Sequence, residues 1–187
     1  MSQAKAIVGI GRVLLWSGGS LWIGRATGHA QPHAHHAIQI SLALTGRLRL
    51  CGDAGQGWRE HVAAMVSPHQ RHQFDGAGET VAQVFVEPET AQGRALLAQY
   101  GTAAIADLPV LSVQADAAAL CEAFNAGAPD EGLIAIAQRL VAGLCGHAPA
   151  LSVDPRVSRA IALPGLAGER RPTRASVRLT MPMKVAP

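Results

Sequence analysis

The sequence is poor in aromatics. Three Trp, three Phe and one Tyr are all that 187 residues contain. Charged residues make up only 16%. Cysteine is scarce as well: Cys51, Cys121 and Cys145 are odd in number, far apart, and form no Cys-x-x-Cys pair. That excludes a disulfide-stapled scaffold and leads to the expectation of a reduced, cytoplasmic protein with free thiols. No apolar run reaches the length of a membrane span. The apolar start, Met1 to Gly24, is interrupted by Arg12, and no small-x-small cleavage site follows closely, so it is not read as a signal peptide. The chain has no Gly-x-Gly-x-x-Gly, no Walker loop, no Gly-x-Ser-x-Gly and no His-Glu-x-x-His. The nucleotide-binding, serine-hydrolase and zincin chemistries that use those motifs find no support.

Hydrophobic residues are abundant at 49%, enough for one domain with a full core. Charge is unevenly spread. Residues 1–150 carry nine Lys/Arg against eleven Asp/Glu, a net −2, while residues 151–187 carry seven against two, a net +5. The basic character belongs to the end of the chain. The body gives no reason to expect nucleic-acid binding.

Eight histidines are present, and they cluster. In His33-Ala34-His35-His36-Ala37-Ile38-Gln39, strand alternation places His33, His35 and Gln39 on one face. Ile38, Ile40, Leu42 and Leu44 then share the other. Two imidazoles two residues apart can grip one metal ion, and an amide oxygen four residues on can add a weaker contact. Ser41 and Ala43 continue the polar face and leave room for a ligand. His72 follows Ser67-Pro68 in a turn that feeds the next strand, and can supply a further ligand.

These stretches resemble the cupin family. His33, His35, Gln39 and Gly46 fit the spacing of its first motif, with Gln39 where that motif has Glu. Pro68 and His72 fit part of the second, whose turn glycine is missing and whose spacing is one residue short. The resemblance implies a cupin double-stranded β-helix barrel with His33, His35, Gln39 and His72 facing inward. It also implies a divalent transition metal, Zn, Ni, Mn or Fe, held by those four. Losing the acidic ligand lowers the affinity expected for that metal. Gln83 and Phe85, alternating along a β-branched strand, extend the expected pocket, so the ligand-binding set is His33, His35, Gln39, Ser41, His72 and Gln83.

Turn signals divide the first 87 residues into short strands: 6–17 and 20–25 around Gly18-Gly19, then 38–45, 47–51, 58–66, 72–74 and 80–86. Trp16 and Trp22 are expected to pack on the barrel. After Glu87-Pro88 the pattern turns helical, with helices expected at 89–100, 115–125 and 131–145 and a connector at 103–113. Ala118, Leu120 (or Cys121) and Phe124 are the expected inward residues of the second. Asp130 is expected to cap the third, whose stripe is Leu133, Ile136, Ala137, Leu140, Val141 and Leu144. The fold class is therefore mostly β with C-terminal helices. Its expected divisions are a barrel at 1–87, a helical segment at 88–148, a linker and helix start at 149–163, and a disordered basic tail at 164–187.

Asp154-Pro155-Arg156-Val157 resembles the opening of the DNA-binding domain in the AraC family of transcription regulators. The order of barrel, helical segment and linker is similar too, over roughly Leu14 to Leu163. Only 24 residues follow Leu163, whereas two helix-turn-helix units need about 100. The expectation is a frame-shifted or degenerate end, with the DNA-binding domain cut off after its first helix. The resemblance implies an effector-sensing and dimerisation domain. It would bind a small molecule, form a homodimer, and bind neither a specific operator nor a membrane. A small metal-dependent cupin enzyme, of dioxygenase or isomerase type, is the alternative. A purely structural or storage barrel is a third reading, against which the hollow small-residue face argues.

Overall fold

The computed structural model describes residues 9–52 and 57–146. The expected linker, helix start and basic tail lie outside them, as does the stretch 6–8 of the first expected strand. Two antiparallel sheets form the body. The larger runs β1-β2-β8-β3-β6-β9 and the smaller β5-β4-β7. The strands are β1 (Gly9–Trp16), β2 (Gly19–Ala26), β3 (Ile38–Ala43), β4 (Leu48–Cys51), β5 (Arg59–His61), β6 (Ala63–Val66), β7 (Gln73–Asp75), β8 (Thr80–Val86) and β9 (Ile105–Asp107).

The chain alternates between the sheets. From β2 it crosses alongside β7, where His29 bridges Asp75 and His33 bridges His72. It then returns to the larger sheet as β3, goes to the smaller as β4 and β5, and alternates again through β6, β7 and β8. Counting the crossing segment as a strand, four strands (β2, β8, β3, β6) face four (29–33, β7, β4, β5). Two four-stranded sheets visited alternately make a double-stranded β-helix, a jelly-roll arrangement of two facing sheets.

Strand alternation separates two cores. Ile38, Ile40 and Leu42 on β3, with Leu21, Ile23, Met65, Val84 and Val86, face the helices. Val66, Ala64 and Val81 face the opposite sheet and pack with Leu48, Leu50 and Phe74 inside the barrel. Trp16 joins the first core and Trp22 the second. Gly46 closes the turn from β3 to β4 at φ +53°, and a side chain there would collide with the Glu79 carboxylate. That is a physical reason for glycine at this point of the motif.

Three helices follow: α1 (Ala91–Tyr100), α2 (Val110–Asn125) and α3 (Asp130–Leu144). Several boundaries differ from expectation. The expected strand 58–66 is two strands, because the chain changes sheets at Val62: β5 pairs with β4, and β6 with β3. The expected connector contains β9, which extends the larger sheet beside β6, and the first turn of α2. Helix α1 starts later than expected, because Thr90 is its cap and accepts from the Gly93 N–H at 2.9 Å. Asp130 is the first helical residue of α3 and not its cap; its carboxylate pairs with Arg12 on β1. In α2, Val113 and Leu120 are buried while Ala118 is exposed. In α3, Leu133, Ala137, Leu140, Val141 and Leu144 are buried against the barrel's outer core. No described helix is long and apolar enough to cross a membrane.

Candidate metal centre

The site forms at the end of the barrel where the chain crosses between sheets. His33 enters from the crossing segment. Its backbone N–H donates to the His72 carbonyl at 3.0 Å, and the His72 N–H donates back at 2.9 Å. This reciprocal pair brings the rings to 4.4 Å between centroids. His35 follows two residues later, 5.2 Å from the His72 ring and edge-on to Phe85 at 5.4 Å. Gln39 rises from the inner face of β3, opposite Val66 and Phe85 in the ladders.

The hydrogen bonds set the chemistry. Nδ1 of His33 lies 2.8 Å from the Gln31 carbonyl, Nδ1 of His35 2.8 Å from that of Ala37, and Nδ1 of His72 2.9 Å from that of Gln70. A carbonyl only accepts, so each Nδ1 carries the proton. Each Nε2 is then left with a lone pair. The same two-residue relation recurs three times: in each case a nearby main-chain oxygen fixes the tautomer. Outer contacts of this kind orient metal-binding imidazoles. The ligand atoms of His33, His35 and His72 all lie within 4.8 Å of one another.

Gln39 completes the group. Its Oε1 is 2.8 Å from His35 Nε2 and 3.3 Å from His72 Nε2. Its Nε2 donates to Ser41 Oγ at 2.9 Å. Gln39, Ser41 and His72 are buried, while His33 and His35 are half-buried and keep the group open on one side. Burial pushes the His72 pKa down to about 4. Its bond to the Gln70 carbonyl opposes this, and the neighbouring His33 and His35 add to it. Near neutral pH, His72 therefore has no proton to give Gln39 Oε1. Two acceptors facing each other repel, and two arrangements relieve this. A cation can sit among the donors, or the amide can turn half over and donate, with Ser41 Oγ then giving its own proton back. The residues present therefore fit a divalent transition metal: three neutral imidazoles and an amide oxygen, all pre-oriented.

The structure thus brings together His33, His35, Gln39 and His72, and links Ser41 to them through Gln39. Gln83 is on the same inner face, opposite Ser41 in the β3–β8 ladder and half-buried. Sequence reasoning reaches His36 and His69 only as acid/base candidates near the inner histidines, and does not connect them to the carboxylates that complete a second group. His36 Nε2 lies 2.9 Å from Glu89 Oε1, and His36 Nδ1 lies 3.2 Å from His69 Nε2. Glu87 joins them at potential ligand distance, and all are exposed. His69 has a left-handed backbone, φ +60°, which is uncommon outside glycine. Its N–H donates to the His35 carbonyl at 2.8 Å. His61 was missed. It is buried, with Nδ1 2.6 Å from Asp107 Oδ1. The only signal for that pair was β9, which reads as a connector in the sequence.

No protein-family model and no curated protein sequence matches the chain. Solved structures are similar to it in part. A cupin-superfamily protein of Desulfitobacterium hafniense is 12% identical over 46% of this chain and 83% of its own, with a TM-score of 0.36. A cupin 2 conserved barrel domain protein of Salinispora arenicola is 22% identical over 46% of this chain and 85% of its own, with a TM-score of 0.34. A cupin domain of Bordetella pertussis is 15% identical over 45% of this chain and 98% of its own, with a TM-score of 0.35. The strand order, the alternation between sheets and the two cores carry the fold. It is a double-stranded β-helix of the cupin type, mostly β, with helices after the barrel.

Proposed function

We propose that the chain is an effector-sensing domain. In this reading His33, His35, His72 and Gln39 hold one divalent transition metal, and a small molecule binds on the metal's open side. One observation carries this reading: three imidazoles, each with Nδ1 tied to a main-chain carbonyl, gather their ligand atoms within 4.8 Å of one another, and two of them, His35 and His72, turn Nε2 toward one buried amide oxygen. The bound ion supplies a fixed positive charge that polarises a ligand oxygen. His33 and His35 line the open side, and Phe85 holds the His35 ring edge-on.

Sensing is favoured over turnover by the donor group itself. Among the described residues no carboxylate or thiol joins the three imidazoles within ligand distance. We read the helical pair α2–α3 and the motif at Asp154 as those of a regulator of the AraC type. On this reading the chain pairs with a second copy, and exposed Val110 and Leu111 on α2 are available to that contact. A small metal-dependent enzyme is the second reading, favoured by the half-buried state of His33 and His35, which leaves the ion open to substrate.

Calorimetric titration of the purified, chelator-treated chain with Zn²⁺ and Ni²⁺ tests the proposal. One ion per chain is expected, lost in His35→Ala and in His72→Ala. Unchanged stoichiometry and affinity in both variants would overturn it. Turnover of a bound small molecule, in place of simple saturable binding, would select the enzyme reading.

A further inference from the structure

Gln39 is a neutral group at a buried corner of the site, only 2% exposed. Its partners are neutral too. The three imidazoles carry their proton on Nδ1 and offer an uncharged Nε2. Glu87 and Glu89 belong to the exposed group around His36, and Asp75, three residues after His72, pairs with Arg49. Resting on the metal reading above, every protein donor to the ion is therefore uncharged. A divalent cation in this site keeps its full double charge while burial strips away most of the water that would screen it. An uncompensated charge in a partly desolvated site is costly. The open side, flanked by His33 and His35, is where that charge can be met.

We infer that Gln39 makes the site selective for an anionic oxygen ligand, a small carboxylate-bearing molecule that binds the ion directly. A glutamate at this position would neutralise half the metal's charge from within. The glutamine leaves that charge for the ligand. It also lets the empty site remain free of strain, since the turned amide donates to the imidazoles, whereas a carboxylate needs them protonated.

The test titrates Zn²⁺-loaded full-length chain with acetate and with acetamide, which match in shape and differ in charge. Wild type is expected to bind acetate at least about tenfold more tightly than acetamide. In Gln39→Glu, Zn²⁺ affinity is expected to rise and acetate affinity to fall, each by at least about tenfold. Gln39→Ala, which adds no charge, is expected to keep the preference for acetate while binding Zn²⁺ less tightly. It serves as the second variant if Gln39→Glu does not fold. Equal binding of acetate and acetamide by Zn²⁺-loaded wild type overturns this inference and leaves the metal reading standing. Failure of folded wild type to take up Zn²⁺ overturns the metal reading itself.

Discussion

His35 and His36 are neighbours in sequence and belong to two different histidine groups. His35, with His33, His72 and Gln39, faces the barrel interior, and its donor set is neutral. His36, with His69, Glu87 and Glu89, stands in solvent beside two carboxylates. The backbone links the groups directly, because the His69 N–H donates to the His35 carbonyl. Both hold clustered imidazoles, and the outer group adds two carboxylates. What differs is how the partners are satisfied. In the outer group, His36 can donate to Glu89 and accept from His69, so every contact is served by ordinary protons. In the inner group two lone pairs meet a third, which invites a cation. Water screens the outer group as well, so its pairing contributes little.

The largest effect expected from this contrast is on metal affinity. His72→Ala removes a buried donor. It should weaken Zn²⁺ binding by more than the ~10–100-fold typical of losing an outer-shell contact. His69→Ala removes a ring of the outer group and should leave the affinity within a few-fold of wild type. Competition titration against a chromogenic chelator measures both. An equal loss in the two variants would show that the groups act as one site and erase the distinction.

The next effect is on stability against pH in metal-free protein. Folding holds the His72 pKa near 4 against 6.5 in the unfolded chain. Between those values the unfolded chain binds a proton that the folded chain does not, so acid favours unfolding. Above pH 6.5 the contribution of His72 is fully present, and by about pH 4 it is lost. A shift of this size corresponds to roughly 3 kcal/mol. Urea denaturation of chelator-treated protein from pH 7.5 to 4 should show the decline, and His72→Gln should flatten part of it. An unchanged slope in His72→Gln would mean that other groups govern the acid limb.

The inner group was legible because its signal is periodic. On β3 strand alternation sets Gln39 and Ser41 on the inner face and Ile38, Ile40 and Leu42 on the other, but His33 and His35 precede that strand and join Gln39 from the crossing segment, where the backbone pair of His33 with His72 places them. Gly46 could be read for the same reason, since a turn at positive φ restricts the residue type. The tautomers could not be read, because they depend on the carbonyls of Gln31, Ala37 and Gln70 and hence on how each chain segment bends. The split between β5 and β6 was invisible because the run 58–66 has no glycine or proline at Val62, where tertiary pairing alone moves the chain between sheets. Strand β9 was hidden by its length of three residues, too short for a period to show. The outer group escaped because Glu89 reaches His36 across a turn that ends the last barrel strand, a contact no local pattern encodes.

The smallest effect belongs to that outer group, and it isolates what the group does. The hydrogen bond from His36 holds the Glu89 carboxyl below the usual carboxylate range, and the Glu89 main chain adds to this. In His36→Ala the leading cause disappears, so the Glu89 pKa should rise toward its ordinary value when followed by NMR against pH. Metal stoichiometry and thermal stability should stay as in wild type, because the pair is exposed and an exposed pair stabilises little. A drop in Zn²⁺ affinity in this variant would point the other way. It would mean that His36, through its neighbour His35 and through His69, helps hold the inner imidazoles in place. The two groups would then be coupled through the backbone bond that joins them.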